Sequence, residues 1–146
     1  MRCMRWFAVM MTVLVVANVS AQERYGYGTP GFGGVFPEIS CPQAWLGNLS
    51  FGIDLRGGIG AGTAIVVVSG APGATSYLGA PIWVDPGTLI IQSLLPLGGL
   101  AGVAGDGSAF YPLPINLPPL PFLAGFKVYA QVVVIDFSNG APAVTP

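Results

Sequence analysis

The chain contains no histidine, and only two of its 146 residues are cysteine. Without histidine, the usual activation of a serine or cysteine nucleophile is excluded, and so are imidazole-ligated metals. Cys3 lies in an N-terminal leader, which leaves Cys41 alone in the rest of the chain. A single thiol supports no intrachain disulfide, thiolate zinc site or iron–sulfur cluster. Cys41 therefore reads as a buried structural thiol.

Charge is equally scarce. Charged residues make up 8% of the chain, against roughly a quarter in an average soluble domain. Beyond the leader the cations are Arg24, Arg56 and Lys127, and the acids are Glu23, Glu38, Asp54, Asp85, Asp106 and Asp136, a net charge of −3. With no basic cluster, nucleic acid and anionic membranes are poor partners. Lys127, the only lysine, falls on the polar face of an expected strand and reads as solvated.

The leader has the layout of a secretory signal peptide. "MRCMR" is basic, "WFAVMMTVLVVA" is an apolar run, and Val19 and Ala21 stand at the −3 and −1 positions of a cleavage site after Ala21. The apolar run is shorter than the roughly 20 residues of a spanning helix. The expected organisation is a signal peptide over residues 1–21, a Gly/Tyr/Pro-rich extended lead-in over 22–44 and one domain over 45–146. That makes the protein secreted or part of the cell envelope. The apolar stretch over 89–103 is broken by Pro96, Gly98, Gly99 and Gly102, so no membrane span is expected in the mature chain.

What the sequence does have is apolar side chains, at 53%, punctuated by 22 glycines and 14 prolines. "LSFGIDL" alternates, with Leu49, Phe51, Ile53 and Leu55 on one face. "TAIVVVS" is apolar on both faces, as in a central strand, and "FKVYAQVVVID" starts half-solvated and ends apolar on both sides. "SAFYPLPINL" carries prolines that confine it to an edge or an extended arm. "GAPGATSYLGAP" reads as a loop, and "DPG" at 85–87 as a type II turn at a hairpin or corner. No window has a helical period. Six or seven short strands predict an all-β fold, a single antiparallel β-sandwich of Greek-key or jelly-roll-like form. Its expected core holds Phe51, Phe110, Phe126, Trp83 and the Val/Ile runs.

Several local patterns suggest chemistry. "GYGTPG" at 26–31 matches the G-x-G-x-x-G pattern of dinucleotide-binding loops, with Asp54 at about the right distance. Such a loop needs a strand before it and a helix after it. Neither is expected here, so the glycines read as letting an extended segment turn against the sandwich. Paired carboxylates are a route to glycoside hydrolysis, but Asp85 and Asp106 suit turns, Asp54 lies on a wet face and Asp136 ends a strand. "GDGSAF" lacks the alternating acids of an EF-hand calcium loop. Trp45 and Tyr77, expected in loops, are the candidate ligand contacts for a glycan, and "NLS" at Asn48 matches a glycosylation sequon. No catalytic residue, cofactor or metal site is expected.

The chain as a whole resembles an uncharacterised β-sandwich repeat of exported planctomycete-type bacterial proteins. The motifs that carry the resemblance are "YGYGTPGFGGVFPEI", "LGNLSFGIDLRG", "AIVVVSGAPGAT", "AGDGSAFYPLPIN" and "FLAGFKVYAQVVVIDFSNG". The resemblance implies an exported, non-catalytic module, found alone or appended to larger surface proteins. Members often carry cysteine where Thr29 stands, and continue past "SNG" with a further apolar strand. Here "APAVTP" follows, and an incomplete last strand would leave its neighbour open to a partner's strand. The expected function is thus a structural or interaction role at the cell surface or outside the cell, with a surface protein or glycan as partner. The alternative is a small carbohydrate- or calcium-binding module.

Overall fold

A computed structural model of the chain describes residues 23–42, 47–114, 126–136 and 142–146. The expected signal peptide and Trp45 lie outside the described residues. Nine strands occur among them: β1 (Glu38–Ser40), β2 (Gly52–Gly58), β3 (Thr63–Ser69), β4 (Pro72–Tyr77), β5 (Ala80–Val84), β6 (Leu89–Pro96), β7 (Gly107–Pro112), β8 (Tyr129–Val134) and β9 (Ala143–Val144). All pairings are antiparallel. The fold is an all-β sandwich, as the sequence predicts. No described helix is long and apolar enough to cross a membrane, and the apolar stretch from Leu89 enters β6.

The strands form a three-stranded sheet ordered β1-β2-β7, a four-stranded sheet ordered β6-β3-β8-β9, and a separate β4-β5 hairpin. Strand β3 explains its two apolar faces by its position. Ala64, Val66 and Val68 are buried in one cluster with Ile53 and Leu55 of β2, Leu95, Leu97, Val132 and Val134. That cluster is the core between the two sheets. On the opposite face, Ile65 packs with Val133, Val144, Ala80 and Ile82. The β4-β5 hairpin therefore forms a partial third layer over the back of the four-stranded sheet.

Several sequence readings change. "GAPGATSYLGAP" is this hairpin. Tyr77 pairs with Ala80, leaving Leu78 and Gly79 as a two-residue turn with φ of 49° and 82°. Two positive φ values are the signature of a type I′ turn, which favours Asn-Gly; a leucine held there costs about 1–2 kcal/mol. "DPG" forms a 3-10 turn over Pro86–Thr88, with Asp85 accepting from Gly87 N. Gly87 does not take the positive φ of a type II turn. The turn is a corner, since β5 and β6 lie in different sheets.

Leu49 stands in a turn outside β2, 65% exposed, so the alternation begins at Gly52. The expected aromatic core is also wrong. Phe110 and Phe126 are exposed, whereas Phe51 and Trp83 are half-buried outside both clusters. Valine, leucine, isoleucine and alanine fill the space between the sheets, and Tyr111 is the aromatic residue packed against that core among the described residues. Part of the expected lead-in is strand β1, which pairs with β2.

The last strand is short but paired. Ala143 and Val144 bond to β8, and Thr29 bridges to Val144 on its other side. The edge expected to be open is therefore covered by the lead-in.

Gln131 was expected on a half-solvated face, but it is 1% exposed. Its Oε1 accepts from Trp83 N (3.0 Å), and its Nε2 donates to Pro81 O (3.2 Å) and Thr145 O (2.9 Å). One amide thus joins β8, β5 and the segment after β9. Gln131→Leu keeps the volume and leaves these backbone groups without their partner. Urea unfolding is expected to show a loss of about 2–3 kcal/mol. A variant as stable as the parent would mean that the amide does not tie these elements together.

Candidate functional site

An open groove of about 380 Å³ lies between the lead-in and the β4-β5 hairpin, lined by Tyr27, Thr29, Ala74, Thr75, Ser76, Gly79, Pro81 and Trp83. Among the described residues, no carboxylate, lysine, arginine or cysteine lines it. Its polar groups are hydroxyls and backbone, and its apolar wall is aromatic.

Trp83 organises this region. Gln131 fixes its backbone N–H, and its indole N–H donates to Tyr27 O at 2.8 Å. Tyr25 and Tyr27 meet the indole edge-to-face, with centroids at 5.9 and 4.9 Å and interplanar angles of 83° and 71°. Tyr25 also meets Tyr129, at 6.3 Å and 70°. Each such pair adds about 0.5–1.5 kcal/mol beyond the area it buries. Together they hold the lead-in against the hairpin and β8.

"GYGTPG" makes this approach possible. Gly26 has φ +83°, and a Cβ there would stand 2.5 Å from the Trp83 ring. A Cβ on Gly28 would stand 2.5 Å from Val144 O. Between them and Pro30, Thr29 forms the bridge: its N donates to Val144 O at 3.0 Å, and its Oγ1 donates to Pro142 O at 3.0 Å. The next residues form a 3-10 turn, Phe32–Gly34, rather than a helix, and Phe32 N donates to the Asp136 carboxylate. Asp54 lies on β2 of the other sheet, paired with Arg56 at 2.9 Å. The pattern is a sheet-edge clasp, as the reading of its glycines predicts, and it has no nucleotide geometry.

Of the two sequence candidates, Trp45 is outside the described residues. Tyr77 ends β4, 61% exposed beside the hairpin turn, and does not line the groove. The aromatic residues that line the groove are Trp83 and Tyr27. Trp83 was obscured by its place in an apolar run. Tyr27 was obscured because the lead-in has no periodicity.

Three aspartates accept backbone N–H groups. Asp85 accepts from Gly87 N and Thr88 Oγ1, Asp106 from Leu100 N, and Asp136 from Phe32 N. Among the described residues, no three acids or cysteines are grouped to hold a metal. Asn48 of the sequon is 5% exposed, and its Oδ1 accepts from Ser50 N at 3.0 Å. That side chain braces the turn before β2.

Cys41 packs half-buried against the main core, and burial raises its thiol pKa above the ordinary value. A raised pKa means less thiolate at any given pH, and the thiolate is the reactive form. Alkylation by iodoacetamide is expected to be slow near neutral pH. Its pH midpoint should lie above that of the urea-unfolded chain, and equal midpoints would count against the burial. For the clasp, Gly26→Ala is expected to drive the lead-in off Trp83, with a red-shifted tryptophan emission and a loss of about 1–3 kcal/mol. An unchanged spectrum and melting point would show that the clasp tolerates a side chain at this position.

No protein-family model matches the chain, and no curated protein and no solved structure was found to be similar to it.

Proposed function

We propose that the chain is an exported, non-catalytic β-sandwich module with a structural or interaction role at the cell surface or outside the cell. The observation that carries this reading is the lining of the groove. It offers hydroxyls, backbone and aromatic carbon, with neither an acid–base pair nor an activated nucleophile. The chain also lacks histidine, and its aspartates are engaged in turns, in the clasp or with Arg56. The signal-peptide layout of residues 1–21 supports export, and the sequence resemblance to exported modules points the same way.

A second reading, a small carbohydrate-binding module, is favoured by Tyr27 and Trp83 standing beside the hydroxyls of Thr29, Thr75 and Ser76. A neutral sugar presents the apolar ring faces and hydroxyls that such a wall accepts. Against it, Gly26 already lies on the Trp83 ring. The calcium alternative has less support, because the Asp106 carboxylate is taken by a backbone N–H.

A panel of glycosidase, esterase and peptidase substrates is expected to give no turnover. Turnover abolished by Asp54→Ala or Asp136→Ala would overturn the non-catalytic reading. A glycan array in parallel distinguishes the two binding roles. Retention of a neutral oligosaccharide, lost in Tyr27→Ala, would establish the second reading over the first.

A further inference from the structure

The two ends of the four-stranded sheet are built differently. At one end, Thr29 bridges to β9. At the other, the eight-residue strand β6 has no strand beyond it among the described residues. The hydrogen-bond phase shows which of its groups are unpaired within the sheet. Leu97 N donates to Gly62 O, and β6 continues that register, with Leu95 opposite Ala64, Ser93 opposite Val66 and Ile91 opposite Val68. Ladder bonds alternate in an antiparallel pair. The N–H and C=O groups of Leu95, Ser93 and Ile91 therefore turn toward β3. Those of Gln92 and Leu94 turn to the open side, and the register shift leaves Ile90 without an opposite residue on β3. The other face of β3 agrees, since Ile135 N donates to Thr63 O and so sets the odd-numbered residues of β3 toward β8.

Edges of this kind are normally protected by charge, proline, bulges or brevity. Strand β1 is short and carries Glu38, and β7 ends in Pro112. Strand β6 has no charged residue, its only proline is the last residue, and its register shift falls at its start, beside Ser69. Ile90 and Leu94 are 55% and 67% exposed.

We infer that β6 pairs with β6 of a second copy, antiparallel about a twofold axis at Gln92. The strand is self-complementary in that register. Gln92 meets Gln92, and Ile90 meets Leu94 from each side. The outward N–H and C=O of Gln92 in each copy meet those of Gln92 in the other. The side chains of these residues also share the outer face of the sheet with Ile65 and Val67, so the new pairs shield apolar surface there. Neutrality over Leu89–Pro96 removes the like-charge repulsion that would oppose the meeting of two identical strands. The far edge is already bridged, so the contact is isologous and closes at two copies. This inference does not depend on the proposed function.

The test is sedimentation velocity over a concentration series, on protein whose leader has been processed in the expression host. A monomer–dimer equilibrium is expected. Leu94→Lys and Gln92→Pro should each weaken it at least tenfold and leave the monomer's melting point nearly unchanged. Position 94 is exposed, and the Gln92 N–H makes no bond inside the sheet. In a Cys41→Ser background, Gln92→Cys should be joined across the axis by a short bifunctional maleimide. Leu100→Cys, in the loop after β6, should not be joined. A strict monomer at the highest concentration, or a dimer unaffected by both edge variants, would overturn the inference.

Discussion

The Gln131 side-chain amide is the constraint on which the back of this molecule depends. Each sheet face must be covered or wet, and the outward face of β8 carries Val133 between Gln131 and Ile135. Covering Val133 brings in the β4-β5 hairpin and Val144. That approach buries the Trp83 N–H and the carbonyls of Pro81 and Thr145 against a strand whose own backbone is committed to β3. An apolar residue at 131 fills the space and leaves those groups without water or partner, a larger penalty than the packing gain. Glutamine supplies an acceptor and two donors from one planar group, and it meets all three needs. Thr145 repeats the device on the neighbouring residue, its Oγ1 accepting from Val132 N at 2.9 Å.

The lead-in extends the same arrangement outward. Gln131 sets the Trp83 backbone, Trp83 provides a ring and an indole N–H, and Tyr25 and Tyr27 close on that ring. Glycine at 26 is what lets the backbone reach the indole, and glycine at 28 lets it reach Val144. The G-x-G-x-x-G spacing therefore reports backbone close approach, the same physical property that a phosphate-binding loop exploits, here directed at an aromatic ring and a strand. What separates the two uses is the following helix, whose N-terminal amides hold the phosphate. This chain has a three-residue 3-10 turn there.

The parts of the fold that were legible in the sequence are those governed by side-chain period. The inward set of β2, the two apolar faces of β3 and the edge character of β7 follow from alternation and from where proline cannot donate. The β4-β5 hairpin was not legible. Its strands hold Pro72, Gly73 and Pro81, and β4 is mostly exposed, so it has no apolar alternation to find. Trp83 and Gln131 were misplaced for one reason. A sequence shows that β8 has a second face but not that another layer arrives to cover it. Once the hairpin is in position, a polar residue on that face becomes a buried hub, and a tryptophan in an apolar run becomes the outer wall of a groove.

Scarcity of charge has a structural counterpart. In a chain with so few ionisable groups, Asp85, Asp106, Asp136 and Asn48 accept backbone N–H groups that lack a strand partner. Asp85 caps the corner between β5 and β6, Asp106 holds the loop before β7, Asp136 fixes the turn after "GYGTPG", and Asn48 braces the entry to β2. A carboxylate that accepts a backbone N–H in its own turn stabilises that turn through its charged form. With these aspartates committed to backbone donors, the described surface presents two uncharged features: the hydroxyl and aromatic groove at the back of the sandwich, and the β6 edge at its side.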